Sequence, residues 1–192
     1  RQMCIRDRFK ITDSGYAEFE DVRVRGRISS SVFEYDKISA VGGKLIIGNS
    51  SVLAQDVSST DTIISVEDSV FNVGEVLRIK DGVNEEYMLV TDTSNAPTYQ
   101  VTRYLNGASD LTWNKGTAIV STGIGTSGSQ TGFIMLDAVS TYSPFIDVAY
   151  RNSEDYDDFS TKVRLGNLEG ITDPDYGNLS GFGLYSDNVF LK

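Results

Sequence analysis

Apolar and polar residues alternate in short runs along most of the chain. Successive side chains of a strand point to opposite faces, so strict alternation over four to eight residues is typical of a half-buried β-strand. No stretch of a dozen residues carries apolar residues at the i, i+3, i+4, i+7 spacing of an amphipathic helix. Turn signals such as Gly42-Gly43, Asp81-Gly82 and Asn106-Gly107 separate the runs. The pattern predicts strands at residues 22–25, 63–66, 76–79, 87–90, 99–102, 133–136, 145–148 and 162–165.

Composition favours the same secondary structure. Val, Ile and Thr together number 47, whereas Ala numbers only 8. β-branched side chains lose rotamer freedom in a helix and pack well on a pleated surface. The predicted fold class is therefore all-β, with little or no helix.

The spacing of the predicted strands divides the chain into regions. Residues 52–122 hold five or six strand-like runs at intervals of roughly 8–12 residues, which is typical of a small β-barrel or sandwich. A stretch rich in Gly and Ser, residues 123–132, follows as a connector. We therefore expect a small β-barrel or sandwich module at 52–122, inserted between flanking β-strand regions at 9–51 and 133–192.

The first eight residues differ in character from the rest. Their sequence, RQMCIRDR, resembles the translation of a transposon-end adapter used in preparing sequencing libraries. We therefore expect residues 1–8 to carry no information about the fold, and the natural protein to begin upstream. Cys4 is the only cysteine, so the remaining chain gives no indication of a redox compartment.

Charge and residue content exclude several classes of function. The chain has 17 Lys+Arg against 27 Asp+Glu, and the net charge of −10 argues against a nucleic-acid partner held by charge. No apolar run approaches the length of a membrane-spanning helix, which argues against membrane insertion. The absence of His removes Ser-His-Asp and Cys-His catalysis and most zinc sites.

One glycine pattern is a candidate phosphate-binding motif. Gly123, Gly125 and Gly128 satisfy G-x-G-x-x-G, which binds phosphate where it joins a strand to a helix. Residues 129–136 look like another strand, so we interpret the pattern as a linker. We predict no cofactor.

Two short stretches are rich in carboxylates, and oxygen ligands at such spacing can hold Ca²⁺. Neither stretch has the complete calcium-loop pattern, so solvated loop charge is the favoured interpretation. A carboxylate pair could also hydrolyse glycosides, but nothing in the sequence selects one. We therefore predict no metal site and no catalytic residue, and a protein that is not an enzyme. The carboxylates are Glu154, Asp155, Asp157 and Asp158 in the first stretch and Asp173 and Asp175 in the second.

Aromatic residues supply the candidate ligand contacts. Aromatic rings stack on sugar rings, and the chain has one Trp and ten Tyr. We identify Trp113 and Tyr104 as candidate glycan contacts. Tyr87, Tyr99 and Tyr104 lie in or beside predicted strands, so a place in the core or in an interface is the alternative.

The two ends of the chain share a weak pattern. Residues 15–25 and 181–192 both have Gly-aromatic, a second aromatic three positions on, Asp, and then Val-x-apolar-basic, with Asn188 as an insertion. A true repeat predicts a parent protein built from units of about this length. Chance similarity between two β-rich segments is the alternative.

Several segments resemble long modular bacteriophage or prophage tail proteins. Residues 9–28 and 32–43 are similar to such proteins, and the closing LSGFGLYSDNVFLK of residues 179–192 is similar to a recurrent phrase in them. The middle region resembles small β-barrel inserts of tail fibres and baseplate proteins. Its marks are Phe71-x-x-Gly74-Glu75-x-x-x-Ile79, Glu86-Tyr87-Met88-Leu89-Val90, Val101-Thr102-Arg103 and Gly116-Thr117-Ala118-Ile119-Val120.

The resemblance implies a non-enzymatic structural segment of a tail fibre or tail-tip protein, located in the virion and extracellular. The implied partners are further copies of the chain, with a trimer favoured, and other tail proteins; a host surface glycan is a further candidate. The alternative is a carbohydrate-binding or adhesin module of a bacterial surface protein.

Overall fold

The computed structural model describes residues 9–11, 17–19 and 43–190. These residues form fifteen strands and no helix, which confirms the all-β prediction. The predicted strand at 22–25, the adapter-like residues 1–8 and most of region 9–51 lie outside the described residues. The strands are β1 (Phe9–Ile11), β2 (Ala17–Phe19), β3 (Lys44–Ile47), β4 (Ser50–Val52), β5 (Ile63–Ser65), β6 (Glu75–Asp81), β7 (Asn84–Asn95), β8 (Thr98–Thr102), β9 (Ala118–Ile124), β10 (Gly132–Asp137), β11 (Phe145–Arg151), β12 (Phe159–Asn167), β13 (Thr172–Asp173), β14 (Gly177–Asn178) and β15 (Phe182–Ser186).

The chain divides into two compact units, Arg1–Phe33 and Glu34–Lys192. In the first unit, β1 and β2 pair as an antiparallel hairpin. The second unit holds two larger antiparallel sheets and the short β13–β14 hairpin. The candidate site lies in this second unit.

Six strands of the second unit form a curled sheet in the order β4-β9-β6-β7-β8-β5. The sheet curls into a half-barrel because its two edge strands converge. Leu53, directly after β4, forms a β-bridge with Val66, directly after β5. The backbone N–H of Ala54 also donates to the carbonyl of Ser65 at 2.8 Å. The sheet draws on residues 50–124, and the boundaries of 52–122 as a separate module stay a prediction.

Buried and exposed residues alternate along the strands of this curled sheet, and the buried side chains fill its inside. In β8, Tyr99 and Val101 are buried, whereas Gln100 and Thr102 are exposed. The phenol ring of Tyr99 packs edge-on against Phe71, with 5.6 Å between ring centroids. Burial of these side chains is the main source of stability. The buried cluster consists of Leu53, Val57, Ile64, Val66, Phe71, Leu77, Ile79, Met88, Val90, Tyr99, Val101, Trp113 and Ile119.

The turn between β6 and β7 forms where the Asp81-Gly82 signal predicts one. Two residues, Gly82 and Val83, connect the strands, and Gly82 has a φ of +61°. Glycine adopts a positive φ without steric cost, which suits the first central position of a two-residue hairpin. Val83 at the tip is 96% exposed.

The other five strands form a second antiparallel sheet in the order β15-β12-β11-β10-β3. One face of this sheet, which we call the inner face, carries a small buried cluster. Its buried residues are Phe133, Met135, Phe145 and Ala149, with Ile46 and Phe159 packed against them. The opposite face, the outer face, is described below.

A tight segment, residues 125–131, carries the chain from β9 of the curled sheet to β10 of the five-stranded sheet. A Cβ atom at Gly125 would lie 1.9 Å from the backbone of Ser153, and one at Gly132 would lie 1.7 Å from the carbonyl of Ala149. Only glycine permits such close backbone approach. Residues 123–132 therefore form a packed crossing between the two sheets.

Candidate interaction surface

A row of aliphatic side chains crosses the outer face of the five-stranded sheet. The strand register places Leu45 opposite Leu136, Leu136 opposite Ile146, Ile146 opposite Leu165, and Leu165 opposite Leu184. Directly opposed residues of antiparallel strands share a face, with Cβ atoms about 5 Å apart. The row spans all five strands, and its members are between 37% and 61% exposed.

A second aliphatic row lies beside the first, two residues along each strand. It consists of Ile47, Ile134, Val148 and Val163, again paired by register. Phe182 lies two residues before Leu184 on the same face of β15 and is 73% exposed. These ten residues, the two rows and Phe182, are called the outer apolar face below.

The outer apolar face is large for a protein surface. Nine of its ten residues are between 37% and 73% exposed. A contiguous exposed apolar patch of this kind marks an interaction site. Both rows lack charged residues. At one end, a cavity of about 470 Å³ opens among Leu45, Ile146, Leu165 and Phe182.

The inner face of the same sheet holds a buried ion pair between β11 and β12. Arg164 donates from Nε to Oδ1 of Asp147 at 2.7 Å and from Nη2 to Oδ2 at 2.6 Å. Its guanidinium carbon lies 3.7 Å from the ring centroid of Phe145. A bidentate pair of this kind fixes the orientation of both side chains. It therefore helps to direct the aliphatic neighbours of Asp147 and Arg164 outward.

A second buried arginine joins the two sheets. Arg151, at the end of β11, is fully buried. Its Nε donates to the Thr122 carbonyl at 3.0 Å, and its Nη2 donates to Thr122 Oγ1 at 2.8 Å, so it contacts β9 directly. Its Nη1 donates to the carbonyl of Asp155, and Nη2 also donates to the carbonyl of Tyr156. Burial lowers the pKa of Arg151 from its usual value.

A third buried network lies inside the curled sheet. Glu86, which is fully buried, accepts two hydrogen bonds from Arg103, each at 2.7 Å. The indole Nε1 of Trp113 donates to Glu86 Oε2 at 2.7 Å. Burial alone disfavours the charged guanidinium, but the hydrogen bonds and charge of Glu86 outweigh it and raise the pKa of Arg103. This network gives the buried polar groups of Glu86, Arg103 and Trp113 hydrogen-bond partners inside the curled sheet.

Both candidate glycan contacts, Trp113 and Tyr104, lie beside this network. Trp113 is only 3% exposed, so its indole ring is a core side chain and forms no open stacking platform. Tyr104 is half-buried; its hydroxyl donates to the Ser59 carbonyl at 2.7 Å, and Arg103 lies 4.5 Å from its ring centroid. Tyr99 is also a core residue. Glycan contact by Trp113 and Tyr104 stays a prediction.

A polar groove of about 1070 Å³ lies between β12, β15 and residues 168–179. Tyr176 and Tyr185 are among the residues that line it, and Tyr176 is 83% exposed. The Asp173 carboxylate accepts hydrogen bonds from the backbone N–H groups of Asp175 and Tyr176, at 2.8 and 2.9 Å, which lower its pKa. Asp173 therefore caps a turn within its own loop.

The first acidic stretch is organised in a similar way. Asp158 accepts hydrogen bonds from Ser153 Oγ at 2.6 Å and Asn152 Nδ2 at 3.0 Å, and these bonds lower its pKa. Within the part of the chain that the structure describes, no group of three or more His, Cys, Asp or Glu residues is placed to hold a metal ion. The Gly123, Gly125 and Gly128 pattern lies between two strands, β9 and β10.

Sequence reasoning missed the outer apolar face and the three buried arginines. The signal for the face was present in residues 162–165, where charged and apolar residues alternate, and in Asp147, which interrupts the apolar run of residues 145–148. Alternation shows that the two faces differ, but it does not show which face packs against the rest of the chain. Here the charged members, Asp147 and Arg164, are the buried ones.

Within residues 9–11, 17–19 and 43–190, no helical segment has the length and hydrophobicity needed to cross a bilayer. Comparison of the chain with protein families, curated proteins and solved structures finds no match.

Proposed function

We propose that this chain is a non-enzymatic structural segment of a phage tail fibre or tail-tip protein. In this role it contributes to tail architecture in the extracellular virion, and it takes part in host attachment as one module of a larger assembly. The observation that carries the proposal is the outer apolar face, since a surface of this size needs a protein partner in water. The resemblance of residues 9–43 and 179–192 to modular tail proteins supplies the class of assembly.

The arrangement of the two sheets supports a structural role. The curled sheet closes on its own core, whereas the five-stranded sheet presents a broad and uncharged face to its surroundings. Arg151 joins the two sheets through its hydrogen bonds to Thr122 of β9. A rigid module with one adhesive face suits a shaft or hub, whose task is to place other parts of an assembly.

The proposal is tested on virus particles. Tail-bearing particles are purified from the source of the sequence by density gradient, digested with trypsin and analysed by mass spectrometry. Cleavage after Lys80 and Arg103 releases residues 81–103 as one peptide that contains no internal Lys or Arg. We expect this peptide in the particle fraction at the abundance of tail proteins. Its recovery only from bacterial cell envelopes would contradict the proposal.

A second candidate function is the carbohydrate-binding or adhesin module, and the groove beside Tyr176 is the observation that favours it. An exposed tyrosine ring with carboxylates nearby can stack on a sugar and accept hydrogen bonds from its hydroxyls. A glycan array with the full chain tests this function, and Tyr176→Ala is the informative variant. Binding that is lost in Tyr176→Ala and kept in Val83→Ala supports the adhesin, whereas an array without signal counts against it.

A further inference from the structure

We propose that the outer apolar face is a homotypic interface, which the same face of a second copy of this chain covers. The inference rests on the proposed structural function and adds to it the surface and the partner. Its starting point is the two aliphatic rows, which lie on the side of the five-stranded sheet opposite the buried Asp147–Arg164 pair.

The extent of the face suits a second protein surface. Nine of its ten residues are between 37% and 73% exposed, and they lie in adjacent rows across the sheet. A small ligand cannot cover a surface of this width, because the row from Leu45 to Leu184 crosses five strands, or about 19 Å at the usual strand spacing. The occupant is therefore a surface of comparable size.

Charge permits a second copy as the partner only through an uncharged surface, and the outer apolar face is such a surface. Each chain carries a net charge of −10, so most approaches between two copies are repulsive. The two rows contain only Leu, Ile and Val, so two such faces meet without opposing like charges. A strongly basic partner would find no carboxylate within the rows to pair with. An uncharged face on an acidic protein therefore fits another uncharged face.

The shape of the face also suits pairing with itself. Two sheets pack face to face at about 10 Å, and their side chains interdigitate. The rows are regular, and an interface around a two-fold axis places the same patch on both subunits. Ile146 and Val148 lie on the central strand β11 and Leu165 lies on the next strand. These three side chains become the most deeply buried part of the interface.

The test is sedimentation velocity on the full 192-residue chain over about 1 to 100 μM, the range in which an interface of moderate affinity dissociates. We expect concentration-dependent self-association. The double variant Ile146→Thr/Leu165→Thr should raise the dissociation constant at least tenfold, because it places two hydroxyls in the centre of the interface. Threonine is β-branched and keeps the strand propensity of both positions.

A matched control makes the same chemical change on the other sheet. Ile63, in β5 of the curled sheet, is 58% exposed, and Val83, in the β6–β7 turn of that sheet, is 96% exposed. Ile63→Thr/Val83→Thr should associate like the wild type. A wild-type chain that stays monomeric over the whole range overturns the proposal, and so does a face variant that associates as tightly as the control.

A second measurement keeps the proposal testable if the double variant does not fold. A nitroxide is attached at Leu165→Cys in a Cys4→Ser background, with Val83→Cys as the control position. We expect dipolar broadening between copies at position 165 and none at position 83; the absence of broadening at 165 overturns the interface. Detection of residues 81–103 in purified particles is independent of this result, so failure of the interface leaves the proposed tail function to its own test.

Discussion

The curled sheet and the five-stranded sheet bury their apolar residues to very different extents. The curled sheet brings its edge strands together through Leu53 and Val66 and encloses thirteen buried hydrophobic residues. The five-stranded sheet has four buried hydrophobic residues on its inner face and ten apolar residues on its outer face. A sheet that curls covers its own apolar side, whereas an open sheet needs another surface. The first region therefore covers its own apolar side, whereas the second leaves one apolar side exposed.

The largest effect is expected inside the curled sheet, at Glu86. Glu86→Gln removes the carboxylate charge that pairs with Arg103, whose side chain is 3% exposed. Breaking a buried pair in this way costs about 3–5 kcal/mol of unfolding free energy. Urea unfolding followed by the fluorescence of Trp113, which contacts Glu86, measures the loss.

Glu85→Gln is the control for this prediction. Glu85 pairs with Arg78 and Lys80 at the surface and keeps 32% of its side chain exposed. An exposed pair of this kind contributes less than about 1 kcal/mol. Equal losses in the two variants would show that the buried network does not stabilise the curled sheet.

A pair of identical substitutions compares the two sheets directly. Leu77 is fully buried in the curled sheet, and Leu165 is 56% exposed on the outer apolar face. We expect Leu77→Ala to cost about 2–5 kcal/mol through lost burial and the cavity it leaves. Leu165→Ala should cost below about 1 kcal/mol in the dilute, dissociated chain. Chemical denaturation at low protein concentration provides both values, and a large loss at Leu165 would mean that its own chain already covers the face.

The part of the fold that could be predicted from sequence is the part that depends on local features. Short alternating runs and the Asp81-Gly82 signal were sufficient to predict an all-β chain and the turn between β6 and β7. These features are local, and strand period and turn chemistry are encoded within a few residues. The order of strands is different, because β4 pairs with β9 across more than sixty residues and no local pattern specifies that pairing.

The candidate site was harder to predict than the fold. Residues 162–165 alternate charged and apolar residues, and this pattern alone does not show which set is buried. In the structure, Arg164 pairs with Asp147 on the inner face, so the apolar set points outward. Trp113 and Tyr104 were selected for their aromatic rings, and the structure gives both a polar partner within the fold. Which face is covered depends on pairing across the sheet, and that information is not local in sequence.

Arg151 tests whether the two sheets unfold as one body. Arg151→Met leaves the carbonyls of Thr122, Asp155 and Tyr156 without their donor, at a cost of roughly 2–3 kcal/mol. Because the Arg151 side chain bridges β9 and β11, the two sheets should unfold less cooperatively in the variant. Hydrogen exchange of the backbone amides measures this: we expect faster exchange in the five-stranded sheet and little change in the curled sheet.

The control for this prediction is Arg78→Met, which removes an arginine that pairs with Glu85 within the curled sheet. It should leave the cooperativity of unfolding unchanged. If Arg151→Met and Arg78→Met show the same exchange pattern, Arg151 does not couple the sheets.

The smallest effect is a pH dependence at Tyr87, whose ring packs on Tyr156 with 5.1 Å between centroids. Burial raises the pKa of Tyr87 from 10.0 to about 12. The unfolded chain releases this proton near pH 10 and the folded chain holds it longer, so the stabilisation is complete below pH 10 and is lost as pH rises through about 12. Tyr87→Phe removes the titration and should reduce the loss of unfolding free energy at alkaline pH by at most about 2 kcal/mol.

Urea unfolding between pH 9 and pH 12 measures how the unfolding free energy depends on pH. Tyr185→Phe is the control, because Tyr185 also has a raised pKa but lies near the surface of the five-stranded sheet. A slope that Tyr87→Phe leaves unchanged would mean that Tyr87 is not held against Tyr156 in water, and the contact between the curled sheet and the residue 152–158 segment would then be weaker than the structure shows.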